Sequence, residues 1–285
     1  MNNLEQRINA AREAITACDY LLMGGGAGLS AAAGLDYGGK RFTDNFADFI
    51  EKYGITDMYS GSFYPFETEA ESWAHWARHI DVNRYAMPAT RLYQDIFELA
   101  RQKEFFVLST NVESQFVKGG FPAEKVFEVQ GDYAFIQCAK ACHDTLYDNA
   151  ALIKEMLAAT ADCKIPSELV PKCPVCGGSM DVNLRHNQYF VQDQAWYAAE
   201  KRYEAFLRAS QGKKLTLLEF GVGFNTPGII RYPFETMTYQ NPQATLIRFN
   251  RDYPMGAAEN ADRTISFSEE IGPIVTTLLE KESEQ

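Results

Sequence analysis

Apolar side chains recur at Leu4, Ile8, Ala11 and Ile15, the spacing of one helical face, behind the good N-cap residues Asn2 and Asn3. This pattern predicts an opening amphipathic helix. A short apolar run at 20–23 then meets a cluster of glycines. Five more short runs follow: FFVLS at 105–109, VFEV at 126–129, LTLLEF at 215–220, ATLIRF at 244–249 and TISF at 264–267. Strands separated by helix-like segments imply an α/β fold, a parallel sheet covered on both faces. Two segments break the alternation. Residues 37–87 are aromatic-rich and mostly helical, and residues 138–181 hold most of the cysteines. Both read as insertions that form a second, smaller module.

Composition narrows the partners. The formal charge of −11 repels phosphate backbones, so nucleic acid is not expected as a principal partner. The N-terminus has no basic segment followed by an apolar run. Nowhere do about 18 uncharged apolar residues follow one another. The expectation is a soluble, cytoplasmic protein that does not enter a membrane.

Candidate chemistry begins at LLMGGGAGLSAAAG, which sets Gly26, Gly28 and Ala31 in a G-x-G-x-x-G/A pattern between a predicted strand and a predicted helix. Glycines there let backbone N–H groups approach a pyrophosphate, which also meets the positive end of the helix dipole. The alternative is a tight turn with no ligand. The acidic strand end of an ordinary dehydrogenase, due about 20 residues on, is missing; AGLDYGGKRF stands there, with Asp36, Tyr37, Lys40 and Arg41. Replacing Gly28 by valine is expected to abolish nucleotide binding without unfolding the chain.

Cys138 and Cys142 form C-x3-C, and Cys173 and Cys176 form C-x2-C ahead of a Gly-Gly turn. Two such pairs can surround one zinc with four thiolates, a closed and therefore structural site. Cys18 and Cys163 are left as small buried residues. His75 and His79 have ligand spacing, but Trp76 stands where a metalloprotease needs glutamate, so a surface or packing role is expected.

Several predicted strands end in amide or glycine groups suited to a nucleotide: Asn111, the pair Gly221 and Gly223, and Asn250. Residues 127–130 alternate as in a half-buried strand ending at Gly131, a place where chains often hold a catalytic group. Yet Gln130 can neither give nor take a proton near neutral pH.

Taken together, GAGLSAAAGLD, STNVE, EVQG, the two cysteine pairs, FGVGFN and IRFN resemble the ordered landmarks of the sirtuin family, NAD-consuming deacylases and ADP-ribosyltransferases, over nearly the whole chain. The resemblance implies a Rossmann-like NAD-binding domain of residues 1–36, 88–137 and 182–285. The small module would join the helical insertion 37–87 to the zinc-binding insertion 138–181, with NAD and the acceptor in the cleft between. It implies NAD contacts at Gly26, Ala27, Gly28, Ser30, Asp36, Asn111, Gly221, Gly223 and Asn250.

Departures from the family pattern carry the functional expectation. Sirtuin deacylases usually show Thr-Gln-Asn-Ile-Asp where this chain has residues 109–113, STNVE, so the asparagine stays and its neighbours change. The usual Pro-Asp-Phe-Arg shrinks to DYGG at 36–39, with the loop arginine displaced or replaced by Arg41. The family's catalytic histidine corresponds to Gln130. A general base typically contributes about 10²–10⁴-fold, so deacylation is expected to be severely weakened. Departure of nicotinamide needs no such base, and a protein side chain can attack C1′ directly. The pattern is similar to the microbial macrodomain-linked sirtuins, which lack the histidine and modify a lipoyl-carrier protein of the glycine-cleavage H type. The resemblance thus implies Asn111, Gln130 and Arg185 as catalytic residues, the last in the divergent segment VNLRHNQYFVQD at 182–193, where a plain surface arginine is the alternative. It also implies a lipoylated carrier as acceptor and a macrodomain hydrolase as functional partner. The rivals are a weak deacylase or NAD hydrolase and a non-catalytic NAD-binding module.

Overall fold

A computed structural model describes residues 3–280. The opening helix is Leu4–Ala17, capped by Asn3 and burying Ile8, Ala11 and Ile15. Among the described residues nine strands follow in chain order: β1 (Tyr20–Gly25), β2 (Glu104–Ser109), β3 (Val126–Glu128), β4 (Gly131–Cys138), β5 (Tyr147–Asp148), β6 (Met180–Leu184), β7 (Leu215–Phe220), β8 (Ala244–Phe249) and β9 (Thr264–Phe267).

Six of them form a parallel sheet in the order β3-β2-β1-β7-β8-β9. The chain builds outward from β1 in one direction, returns to the centre, and builds outward from β7 in the other. This is the Rossmann-like arrangement, and its order reverses between β1 and β7. In open parallel sheets a ligand crevice lies outside the strands' carboxyl ends at that point.

Both faces of the sheet are covered, which is why its strands read as continuous apolar runs rather than alternating ones. Leu21, Met23 and Val107 pack with Ile8, Ile96 and Ile274 on one face. Leu22, Phe106 and Leu217 pack with Phe206 and Phe234 on the other.

The remaining strands form a small antiparallel sheet in the order β5-β4-β6. Phe42, Phe46, Phe49, Trp73 and Ile80 share one apolar cluster with Tyr133, Ile136, Met156 and Val182, so the helical segment and the cysteine-bearing segment have a common core. Strands β4 and β6 run across the expected limits at 137/138 and 181/182 and pair with each other. His75 and His79, on helix Glu69–Ile80, are fully buried in this core.

The strand expected to run to Gly131 stops at Glu128, and Gly131 opens β4 instead. Gly131 has φ +104°, and a Cβ there would lie 1.9 Å from the Asn183 carbonyl oxygen. Only glycine lets the chain cross β6 so closely. Val129 and Gln130 are thus the whole link between β3 of the large sheet and β4 of the small one.

Candidate active site

The predicted residues converge on one edge of the large sheet. Gly26, Ala27 and Gly28 follow β1, Asn111 follows β2, Gln130 follows β3, Gly221 and Gly223 follow β7, and Asn250 follows β8. Hydrogen bonds stitch these loops together across the reversal point. Gly28 N–H donates to the Gly221 carbonyl at 2.9 Å. Asn250 Nδ2 donates to the Val222 carbonyl at 2.8 Å, and Asn111 Nδ2 to the Gly26 carbonyl at 3.0 Å. Ala27, Gly28 and Gly223 are exposed there and carry at most a methyl group, so the backbone is open to a diphosphate as dinucleotide binding requires.

The glycines have a further duty that changes one expectation. A Cβ on Gly26 would lie 2.8 Å from the Gly221 oxygen, and one on Gly28 would lie 2.8 Å from Gly221 Cα. A valine at position 28 therefore collides with the β7 loop before any nucleotide is present. It damages the fold as well as the site, contrary to the expectation of a clean binding defect.

Ser30 and Asn111 face inward. Ser30 Oγ donates to Glu113 Oε1 at 2.5 Å and lies 3.1 Å from the Tyr93 hydroxyl. Tyr93 also accepts from Asn111 Nδ2 at 3.2 Å. Burial raises the Glu113 carboxyl above its usual range. Tyr93, which orients the amide of a predicted catalytic residue, gives no motif-level signal in the sequence, and Glu113 stood there only as a changed neighbour of Asn111 in STNVE.

Asp36 is exposed in a loop that Arg41 holds, donating to the Asp36 carbonyl at 3.0 Å and the Val82 carbonyl at 2.9 Å. Arg41 thereby ties this loop to the end of the helical segment. Behind Gln130, Arg84 pairs with Asp132 at 2.8 Å. Burial, then repulsion from Asp132 and Glu113, holds the Glu128 carboxyl well above its usual range against the opposing pull of Arg84.

Gln130 is half-buried; its Nε2 donates to Thr226 Oγ1 at 3.0 Å, on the loop after β7. Its main-chain carbonyl accepts from Arg185 N–H at 3.0 Å. Arg185 is exposed, with its guanidinium 4.9 Å from the centre of the Phe190 ring. The structure therefore brings Gln130 and Arg185 side by side.

A buried charge network, missed in the sequence reading, braces the loops after β7 and β8. Glu219 and Arg248 are fully buried register partners, with Arg248 Nη2 donating to Glu219 Oε2 at 2.9 Å. Arg248 also donates to the Met255 carbonyl at 2.8 Å, and Arg231 to the Tyr253 carbonyl at 3.0 Å. Its signal was present: opposite charges one residue before the ends of two otherwise apolar strands.

In the small module, the sulfurs of Cys138, Cys142, Cys173 and Cys176 lie within 4.8 Å of one another. The separations Cys138–Cys176 and Cys142–Cys173 are 3.7 and 3.6 Å. Thiolates at tetrahedral zinc are about 3.8 Å apart for a Zn–S bond of about 2.3 Å, so the donor set fits that ion. Backbone N–H groups, that of Cys176 foremost, pull the Cys173 thiol down to about 6. His143 Nε2 is 3.5 Å from Cys173 Sγ, beside rather than among the four.

No protein-family model matches the chain. It is 36% identical to a protein ADP-ribosyltransferase of Staphylococcus aureus over 99% of this chain and 90% of that protein. It is 31% identical to a probable bifunctional ADP-ribose hydrolase/ADP-ribosyltransferase of Fusarium oxysporum over 84% of this chain, spanning 41% of that longer protein. Among solved structures, a Sir2 homologue in complex with NAD shares the fold at a TM-score of 0.57 and 15% identity, covering 95% of this chain and 92% of that one. With the first relative matched over nearly its whole length and the fold shared with the Sir2 structure, the chain belongs to the sirtuin family as one of its NAD-dependent protein ADP-ribosyltransferases.

Proposed function

We propose that this enzyme passes ADP-ribose from NAD directly to a side chain of a lipoyl-carrier protein of the glycine-cleavage H type, in the cytoplasm, with a macrodomain hydrolase as its functional partner. No helix among the described residues is long and apolar enough to cross a membrane. The observation that carries the reading is Gln130. A neutral amide, engaged with Thr226, stands at the end of β3 where deacylation would need a proton acceptor. A transfer that attacks C1′ directly does not need one at that place.

NAD supplies the ADP-ribosyl group and nicotinamide as leaving group. The bond from C1′ to nicotinamide breaks with its electron pair on nicotinamide, a bond to C1′ forms with an electron pair of the acceptor side chain, and any proton that side chain carried on the attacking atom passes to solvent. Gly26, Ala27, Gly28, Gly221 and Gly223 let the backbone approach the diphosphate, and Asn250 serves the adenosine side. Asn111, its amide held by Gly26 and Tyr93, and Asp36 serve the nicotinamide side. Ser30 contributes through Glu113 rather than by contact. Gln130 orients a ribose hydroxyl or the acceptor, and Arg185 offers a fixed cation to an anionic group. The four cysteines hold one structural zinc, which orders the small module and leaves no coordination position for chemistry.

The test uses labelled NAD and the carrier protein. Gln130→Ala and Arg185→Ala are expected to lower labelling of the acceptor while calorimetry finds NAD affinity nearly unchanged, and Asn111→Ala is expected to lower labelling further. Full labelling by Gln130→Ala would remove that residue from the reaction.

A further inference from the structure

We infer that Trp196 is a positioning residue that sets Gln130 and Arg185 together; the inference rests on the roles proposed for those two residues. Trp196 lies in the first turn of helix Gln194–Ser210, fixed there by its main-chain N–H donating to the cap residue Asp193 at 2.8 Å. Its half-buried ring reaches two places at once. The indole Nε1–H donates to the Val129 carbonyl at 3.2 Å. The ring face lies under the Arg185 guanidinium, whose central carbon is 5.8 Å from the ring centre.

The first contact matters because of where Val129 stands. Val129 and Gln130 alone lead from β3 of the large sheet to β4 of the small one, and neither lies within a strand. The Val129 carbonyl accepts from the indole at 3.2 Å, its N–H is taken by the Ser109 carbonyl at 3.0 Å, and the Gln130 carbonyl is taken by Arg185 N–H at 3.0 Å. The peptide plane that precedes Gln130 is thus oriented by Trp196, and with it the direction of the Gln130 side chain. The second contact restrains a long exposed side chain that has Phe190 as its other aromatic neighbour. A guanidinium stacked between rings loses less freedom on meeting an anion than one extended into water. Tryptophan supplies both a donor and a broad face; phenylalanine supplies only the face and leucine neither. The ring also packs edge-on against Phe127, with centres 4.9 Å apart, which anchors it to the large sheet.

Trp196→Phe and Trp196→Leu, each alone and combined with Arg185→Ala, test the inference by NAD affinity, acceptor labelling at saturating NAD, and thermal midpoint. Trp196→Leu is expected to lower kcat for transfer about 10- to 100-fold, the scale of small misplacements of reacting groups. The KM for NAD should stay within about twofold, because the indole touches none of the glycine-rich loops. Trp196→Phe should recover part of that loss. In the Arg185→Ala background the phenylalanine and leucine variants should become equal, since the recovered part acts through Arg185. Should Trp196→Leu not fold, Trp196→Phe carries the test: a wild-type thermal midpoint with kcat lowered about tenfold supports the inference. Folded variants with wild-type kcat would overturn it, as would a Trp196→Leu loss that reappears undiminished in the Arg185→Ala background. If Gln130→Ala and Arg185→Ala themselves cost nothing, the proposed reaction fails and this inference with it; if they cost activity and the Trp196 variants do not, this inference alone fails.

Discussion

Gln130 and His75 show how differently a single residue can be read. Gln130 was legible as a departure, because an amide stands where a base is expected, and its chemistry follows from its functional group. His75 was legible only as half of a histidine pair at helical spacing. What the sequence could not show is that His75 is fully buried among Phe46, Phe49 and Phe66, with neither ring nitrogen hydrogen-bonded. Burial pushes its pKa down to about 4. In the unfolded chain a histidine titrates near 6.5, so between these values the unfolded state takes up a proton that the native state refuses. Stability is therefore present above pH about 6.5 and is lost as pH falls toward 4, by about 3 kcal/mol in full. His75→Phe is expected to remove this component and the unpaired ring nitrogens together. Denaturant unfolding at pH 5 and pH 7.5 checks it: the advantage of the variant should be larger at pH 5, and a difference independent of pH would contradict the assignment.

At the scale of elements, the strands of the large sheet were readable because its central members are short apolar runs buried on both faces. The runs 215–220, 244–249 and 264–267 are strands over those same residues. The second sheet was not readable, because β4 continues from β3 through two residues and nothing local announces that the chain changes sheets. The signal lies in long-range contact, the pressure of Gly131 on Asn183. The glycine turn was read for its ligand and not for its neighbour. Gly28→Ala already places a methyl against Gly221, so it should lower the thermal midpoint in the absence of any nucleotide. A Gly28→Ala protein that melts like wild type would show that the β7 loop yields. The cysteine cluster makes a second prediction at this scale. Protein purified without added metal should carry about one zinc per chain, and stripping it with a chelator should disorder the small module while the six-stranded sheet stays folded. Hydrogen exchange localises the loss; protection kept throughout the module after metal removal would contradict a structural site.

Across the whole molecule, the link that bears Gln130 runs from the apolar cluster around Phe127 on one face of the larger sheet to that of the small module, and the groups proposed for NAD lie along the carboxyl edge of the larger sheet. The buried Glu219–Arg248 pair fixes the far side of that edge, and Arg41 ties the Asp36 loop on the near side to the small module. In the proposed reaction this arrangement serves donor and acceptor without providing a base at Gln130. The most direct measurement of this account incubates the wild-type protein and NAD with the lipoyl-carrier acceptor and, in parallel, with an acetyl-lysine peptide, following labelled acceptor, released nicotinamide and deacetylated peptide together. The account predicts labelled acceptor with matching nicotinamide release and little deacetylated peptide; brisk deacetylation with no labelled protein would contradict it.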